Sequence, residues 1–90
     1  CDADWKLAAQ AYSPASGIQL TCRTDMPGIM IYTGNMIDIM GKGGYRYGKY
    51  AGFALETMLR SSLGERCGKT AIVEPGKDFF SKTTFEFSVR

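Results

Sequence analysis

Glu56 is the residue best placed to do chemistry in this chain. It lies in the run Gly52-Phe53-Ala54-Leu55-Glu56-Thr57-Met58, directly after three apolar side chains. On a strand, side chains alternate between faces, so Glu56 shares a face with Ala54 and Met58. A carboxylate in that setting is expected to be half-buried. Burial disfavours the charged form and raises the pKa, which suits a carboxylate to accept a proton near neutral pH. The plainer alternative is an acid on a half-exposed strand face, paired with a nearby lysine or arginine.

The remaining composition narrows what such an acceptor could serve. The chain has no histidine. A Ser-His-Asp triad, a Cys-His pair and a histidine-containing metal site are therefore excluded within these residues. Acid–base chemistry here must run on Asp, Glu, Lys, Tyr or Cys. Cys1, Cys22 and Cys67 are widely spaced and odd in number. They match neither a zinc-finger spacing nor a closed disulfide framework, and read as free thiols of a reducing, cytoplasmic compartment. The segment Gly64–Thr70, G-E-R-C-G-K-T, superficially resembles a phosphate-binding loop. It has three residues between its first glycine and the Gly-Lys pair, where that loop needs four, so the reading is rejected.

Ninety residues allow one small domain, or a piece of a larger one, with a thin core. A first residue of Cys1 rather than Met suggests a processed chain or a fragment cut from something longer. No repeat or linker divides residues 1–90. The net charge of +2 is too small to argue for a nucleic-acid or anionic-membrane partner. No apolar run reaches the length of a membrane span, and no signal-peptide pattern opens the chain.

The elements that must position Glu56 read as strands. Trp5 to Tyr12 alternates with a period of two, with Trp5, Leu7, Ala9 and Ala11 inward, although its alanines also permit a helix. Ser13-Pro14-Ala15-Ser16-Gly17 is a turn, and Ile18 to Thr24 alternates cleanly, so the two runs form a hairpin. Asp25 to Gly28 breaks the second strand, and Ile29 to Thr33 forms a third. Met36 to Met40 is a short strand or a packed loop. Gly41 to Gly52 has five glycines and reads as a long loop. Its Tyr45, Arg46, Tyr47, Lys49 and Tyr50 could stack on single-stranded nucleic acid or sugar rings, but a surface loop covering the sheet edge is favoured. Phe53 to Met58 is the central strand. Leu55, Met58, Leu59 and Leu63 then fall at helical spacing, predicting a short helix or turn at about 57–63. Thr70 to Glu74 is a short strand, Glu74 to Lys77 a turn, and Phe79 to Val89 the longest strand. About six or seven strands joined by Gly/Pro turns point to an all-β antiparallel sandwich.

With these runs in place, the chain resembles the C-terminal part of the aldose 1-epimerase (galactose mutarotase) family. Pro27-Gly28-Ile29-Met30-Ile31-Tyr32-Thr33-Gly34-Asn35 resembles the family's P-G-x-Q-x-Y-T-G-N. Gly41-Lys42-Gly43-Gly44 resembles the loop that follows, and Gly52-Phe53-Ala54-Leu55-Glu56-Thr57 resembles G-F-x-L-E-T. Ser16-Gly17, Pro75-Gly76 and the run of Thr83, Thr84, Phe85 and Phe87 complete the match.

The resemblance implies that residues 1–90 are part of a large mutarotase-like β-supersandwich. It implies an enzyme that interconverts the α and β anomers of aldoses such as galactose or glucose, without metal or organic cofactor. Glu56 would be the general base and take the anomeric hydroxyl proton. Met30 stands at the family's glutamine, a substrate-binding position, and lacks the hydrogen bonds a glutamine offers. Such a loss costs on the order of 1 kcal/mol. Tyr32 and Asn35 are expected to shape the loop beneath the site.

The family's histidine general acid lies upstream of the matching region, so this chain alone is expected to be inactive. Its uncovered sheet edges are expected to favour self-association. The family's P-D-x-x-N after L-E-T is replaced by Met58-Leu59-Arg60-Ser61-Ser62, which implies a rebuilt loop. The alternative is a non-catalytic carbohydrate-binding relative, in which Met30 and that loop mark lost chemistry. Neither reading calls for a nucleic acid or a membrane.

Overall fold

The computed structural model describes residues 4–59 and 72–90. Seven strands account for its regular structure: β1 (Lys6–Tyr12), β2 (Ile18–Thr24), β3 (Gly28–Tyr32), β4 (Ile39–Met40), β5 (Arg46–Tyr47), β6 (Ala54–Met58) and β7 (Thr83–Val89). All pairings are antiparallel: β1-β2-β7 form a three-stranded sheet, β3-β6 a ribbon and β4-β5 a short ladder. The fold is all-β, and among the described residues there is no α-helix.

The three-stranded sheet follows from alternation. Ile18, Leu20 and Cys22 on β2 stand opposite Val89, Phe87 and Phe85 on β7. Ala11 and Ala9 on β1 face Leu20 and Cys22. One face is therefore apolar. The other carries Gln10, Gln19, Thr21, Arg23 and Glu86, with Gln10 and Gln19 both donating to Thr21 Oγ1 at 3.4 Å. The expected inward placement of Trp5 and Leu7 is not found. A register shift between Leu7 and Ala9 sets Leu7 opposite Arg23, and both Trp5 and Leu7 are exposed. An extra residue in one strand breaks the two-residue period, so the pattern cannot be extended across it.

Turn chemistry closes the hairpin. Gly17 adopts φ +76°, its N–H donates to Ser13 O at 2.8 Å, and Arg90 N–H donates to Gly17 O at 2.8 Å. The Arg90 guanidinium lies 4.8 Å over the Tyr12 ring, so the end of β7 clamps the turn.

Several boundaries differ from the sequence reading. Thr57 and Met58 belong to strand β6 and not to a helix, because each pairs with β3, as Ile29↔Thr57 and Gly28↔Met58. Cross-strand hydrogen bonding overrides a spacing that is equally compatible with a strand followed by a turn. The rest of that expected helix, the segment Gly64–Thr70 and Cys67 lie outside the described residues, as does Cys1. Ile72 to Glu74 is not a strand, and the last strand begins at Thr83 and not at Phe79. The glycine-rich stretch contains a 3-10 turn at Lys42–Gly44 and then β5.

Among the described residues, the deeply buried side chains are Thr21, Cys22 and Thr24. Phe87 and Val89 are 69% and 81% exposed, so the apolar sheet face is largely open. The radius of gyration, 16.4 Å, exceeds the roughly 12 Å of a close-packed domain of this length. Burial pushes the free Cys22 thiol above its ordinary pKa, which keeps it an unreactive packing group.

Gly34 is the position least tolerant of a side chain. Its φ is +76°, a Cβ there would overlap the Gly52 carbonyl oxygen, and it would come within 2.9 Å of Ile37 Cδ1. Gly34→Ala is expected to lower stability by about 1–3 kcal/mol, read as a lower urea midpoint in far-ultraviolet circular dichroism.

Candidate active site

The two residues singled out for chemistry lie on the β3-β6 ribbon, and its register brings them face to face. Met30 pairs directly with Glu56, flanked by Gly28↔Met58 and Tyr32↔Ala54 on the same face. Directly opposed residues of an antiparallel pair have Cβ atoms about 4.5–5.5 Å apart. A molecule docked on this face would meet both side chains at once. Residues 26 positions apart become neighbours only because the ribbon pairs in this register.

Glu56 is not half-buried. It is exposed on β6, and Met30 is exposed beside it. The apolar run before Glu56 is only partly covered: Phe53 is itself exposed, while Ala54 and Leu55 are half-buried. Among the described residues, no lysine or arginine pairs with it either. The ion pairs among the described residues, Arg23–Glu86 and Arg46–Asp38, do not include Glu56.

The other face of β6 is where the ribbon is anchored. Thr57 Oγ1 lies 2.9 Å from Thr83 Oγ1, and Thr83 Oγ1 lies 3.0 Å from Thr24 Oγ1. Thr24 Oγ1 donates to Lys82 O at 3.1 Å and accepts from Met26 N–H at 3.0 Å. Each hydroxyl has one proton to give. Because Thr24 gives its proton to Lys82 O, Thr83 must donate to Thr24 and Thr57 to Thr83. The result is a one-way chain from β6, through the start of β7, to the end of β2. Sequence reasoning did not find it. Thr24 and Thr83 are paired within the sheet, but nothing in the one-dimensional pattern indicates that Thr57 on the ribbon meets them.

The corner after β2 reinforces this seam. Asp25 N–H donates to Lys82 O at 3.2 Å, and Lys82 N–H donates to Asp25 Oδ1 at 3.1 Å. Lys6 Nζ reaches across to Met26 O at 2.8 Å. The chain therefore enters β3 from a fixed point.

Loop-shaping residues act as expected at Tyr32. Its hydroxyl accepts from Met36 N–H at 3.1 Å, while Gly34 O accepts from Ile37 N–H at 3.2 Å and Tyr50 N–H at 2.9 Å. These contacts fold the segment after β3 back towards Gly52, where the approach to β6 begins. Tyr45 and Tyr47 pack at 4.9 Å between ring centroids, and Arg46 is held by Asp38. Within that loop, two tyrosines thus pack on each other and the arginine pairs with an acid that precedes the loop.

No protein-family model matches the chain. Curated relatives do. The chain is 36% identical over 87 residues to the galactose mutarotase of Rattus norvegicus, a match covering 93% of this chain and 25% of the relative. It is 36% identical over 86 residues to that of Homo sapiens, covering 92% of this chain and 25% of the relative. It is 33% identical over 87 residues to that of Bos taurus, again across 93% of this chain and 25% of the relative.

The register can be checked directly. Met30→Cys with Glu56→Cys, made in a Cys1→Ser, Cys67→Ser background, is expected to oxidise to an intramolecular disulfide, detected by mass spectrometry. A register one residue out would put the two thiols on opposite faces and leave both free. Measured against those relatives, the chain spans about a quarter of their length, and over nearly all of its own residues it is similar to galactose mutarotases.

Proposed function

We propose that this chain is the segment of an aldose 1-epimerase that carries the general base, and that Glu56 is that base. The observation that supports the reading most is the similarity to galactose mutarotases across 93% of the chain, with Glu56 in the G-F-x-L-E-T run. The exposed pairing of Glu56 with Met30 adds to it, because a base must be reachable by its substrate.

In this reading the Glu56 carboxylate accepts the proton of the anomeric hydroxyl. The C1–O5 bond breaks as the ring oxygen is protonated, giving the open-chain aldehyde. Rotation about the C1–C2 bond and re-closure on the other carbonyl face give the opposite anomer, and the two protons return. The proton for the ring oxygen comes from a histidine in the family, and none of these ninety residues is histidine. The segment alone is therefore inactive. The complete catalyst acts on an aldose such as galactose or glucose and works in the reducing cytoplasm, where Cys22 stays a free thiol. Open edges on β1 and β7 favour self-association of the segment when isolated.

A second reading, a carbohydrate-binding relative without activity, is favoured by one observation. Met30, at the position where the family has glutamine, lies directly opposite Glu56 and has no comparable hydrogen bond to offer a sugar hydroxyl.

The two are separated in protein expressed from the complete reading frame that encodes residues 1–90. Glu56→Gln is expected to slow mutarotation of α-galactose at least about 100-fold by polarimetry, with sugar binding kept. Unchanged mutarotation would sink the assignment of Glu56. An unmutated protein that binds sugar but does not mutarotate it would establish the second reading. Met30→Gln is expected to lower the KM about fivefold, the equivalent of one recovered hydrogen bond of about 1 kcal/mol.

A further inference from the structure

We infer that Thr57 is a positioning residue for Glu56, acting through the one-way hydroxyl chain Thr57→Thr83→Thr24→Lys82 O; this inference rests on the reading of Glu56 as the base. Among the described strands, β6 pairs with β3 alone, and a two-stranded ribbon is a weak and readily twisted unit. Its orientation relative to the three-stranded sheet must come from contacts outside the ladder. The hydroxyl chain supplies them at distances of 2.9, 3.0 and 3.1 Å, all within the range of good O–H···O bonds or close to it.

The chain ends on well-anchored ground. Thr24 is 1% exposed, and Lys82 is held at both its backbone N–H and C=O by Asp25. Thr57 is thus tied to the best-packed corner of the molecule. Glu56 is its direct neighbour, and its side chain leaves the opposite face of the same strand. Fixing Thr57 fixes the tilt of the β6 pleat, and with it the direction in which the carboxylate points. A proton acceptor gains its rate from being held within a fraction of an ångström of the proton it takes, and misplacement by about 1 Å can cost about 100-fold.

Such a role differs from general stabilisation in what it does to kinetics. A misdirected base weakens the transition state of proton transfer while leaving ground-state sugar binding alone. The test uses protein expressed from the complete reading frame encoding residues 1–90, with α-galactose as substrate. Thr57→Val keeps the volume and β-branching but removes the hydroxyl. It is expected to lower kcat at least about tenfold with KM changed less than about twofold, and Thr57→Ser is expected to restore kcat. Thr83→Val interrupts the same chain without altering β6, and is expected to give the same split. Normal kcat in Thr57→Val beside a loss in Glu56→Gln overturns the positioning role and leaves the base intact. Normal kcat in Glu56→Gln, or an unmutated protein without mutarotation, overturns both. Loss of the native circular dichroism spectrum in both valine variants overturns the inference too, since the chain would then be a requirement for folding and not an aiming device.

Discussion

A seam of threonine hydroxyls joins the two larger sheet units. β1, β2 and β7 form one ladder and β3 with β6 another, and among the described strands none is shared between them. Thr57, Thr83 and Thr24 bridge the gap with side-chain oxygens at 2.9 and 3.0 Å. A hydroxyl withdrawn from water without a partner costs free energy comparable to a lost hydrogen bond, so a buried chain of this kind is stable only when every member is satisfied. Here the last proton goes to the Lys82 carbonyl, and Thr24 also accepts a backbone N–H. Satisfaction at the buried end sets the direction of the whole chain.

This seam lies at one end of the sheet, and the apolar residues lie at the other. Cys22 at the inner end of the apolar face is fully buried, whereas Phe87 and Val89 towards the far end are mostly exposed. Burial therefore declines along β2 and β7 away from the corner formed by Thr24, Asp25 and Lys82. The molecule is held by polar contacts where it is dense and presents apolar surface where it is open. That distribution agrees with a chain that spans a quarter of the length of its relatives.

The β3-β6 ribbon has two unlike faces. One face of β6 carries Thr57 and is tied inward; the other carries Glu56 and looks outward beside Met30. The alternation of a strand lets Thr57 anchor on one face while Glu56 stands on the other. An acid on this ribbon is defined by where it is held. The loop after β3, folded back by Tyr32 and Gly34, delivers the chain to Gly52 so that β6 starts in register.

Much of this was legible in the residues. The hairpin of β1 and β2, the Gly17 turn, β3 and the alternation of β7 all follow from period-two patterning and turn chemistry, which are local properties. Glu56 stood out because a carboxylate closes an apolar run. Among the expectations that failed, two did so for instructive physical reasons. The inward placement of Trp5 and Leu7 was lost to a register shift that a pattern of alternation cannot reveal. The half-burial of Glu56 was lost because burial depends on which elements cover a face, not on which residues precede it. Likewise, the short β4-β5 ladder inside the glycine-rich loop has too few residues to carry a pattern of its own. What the amino acids determined by themselves was the longer strands, their turns and the run in which Glu56 stands. Only the tertiary structure decided that Met30 opposes Glu56 and that Thr57 joins Thr83 and Thr24. Pairing register and the meeting of separate sheets arise from contacts between residues distant in the chain, and local sequence places no constraint on them.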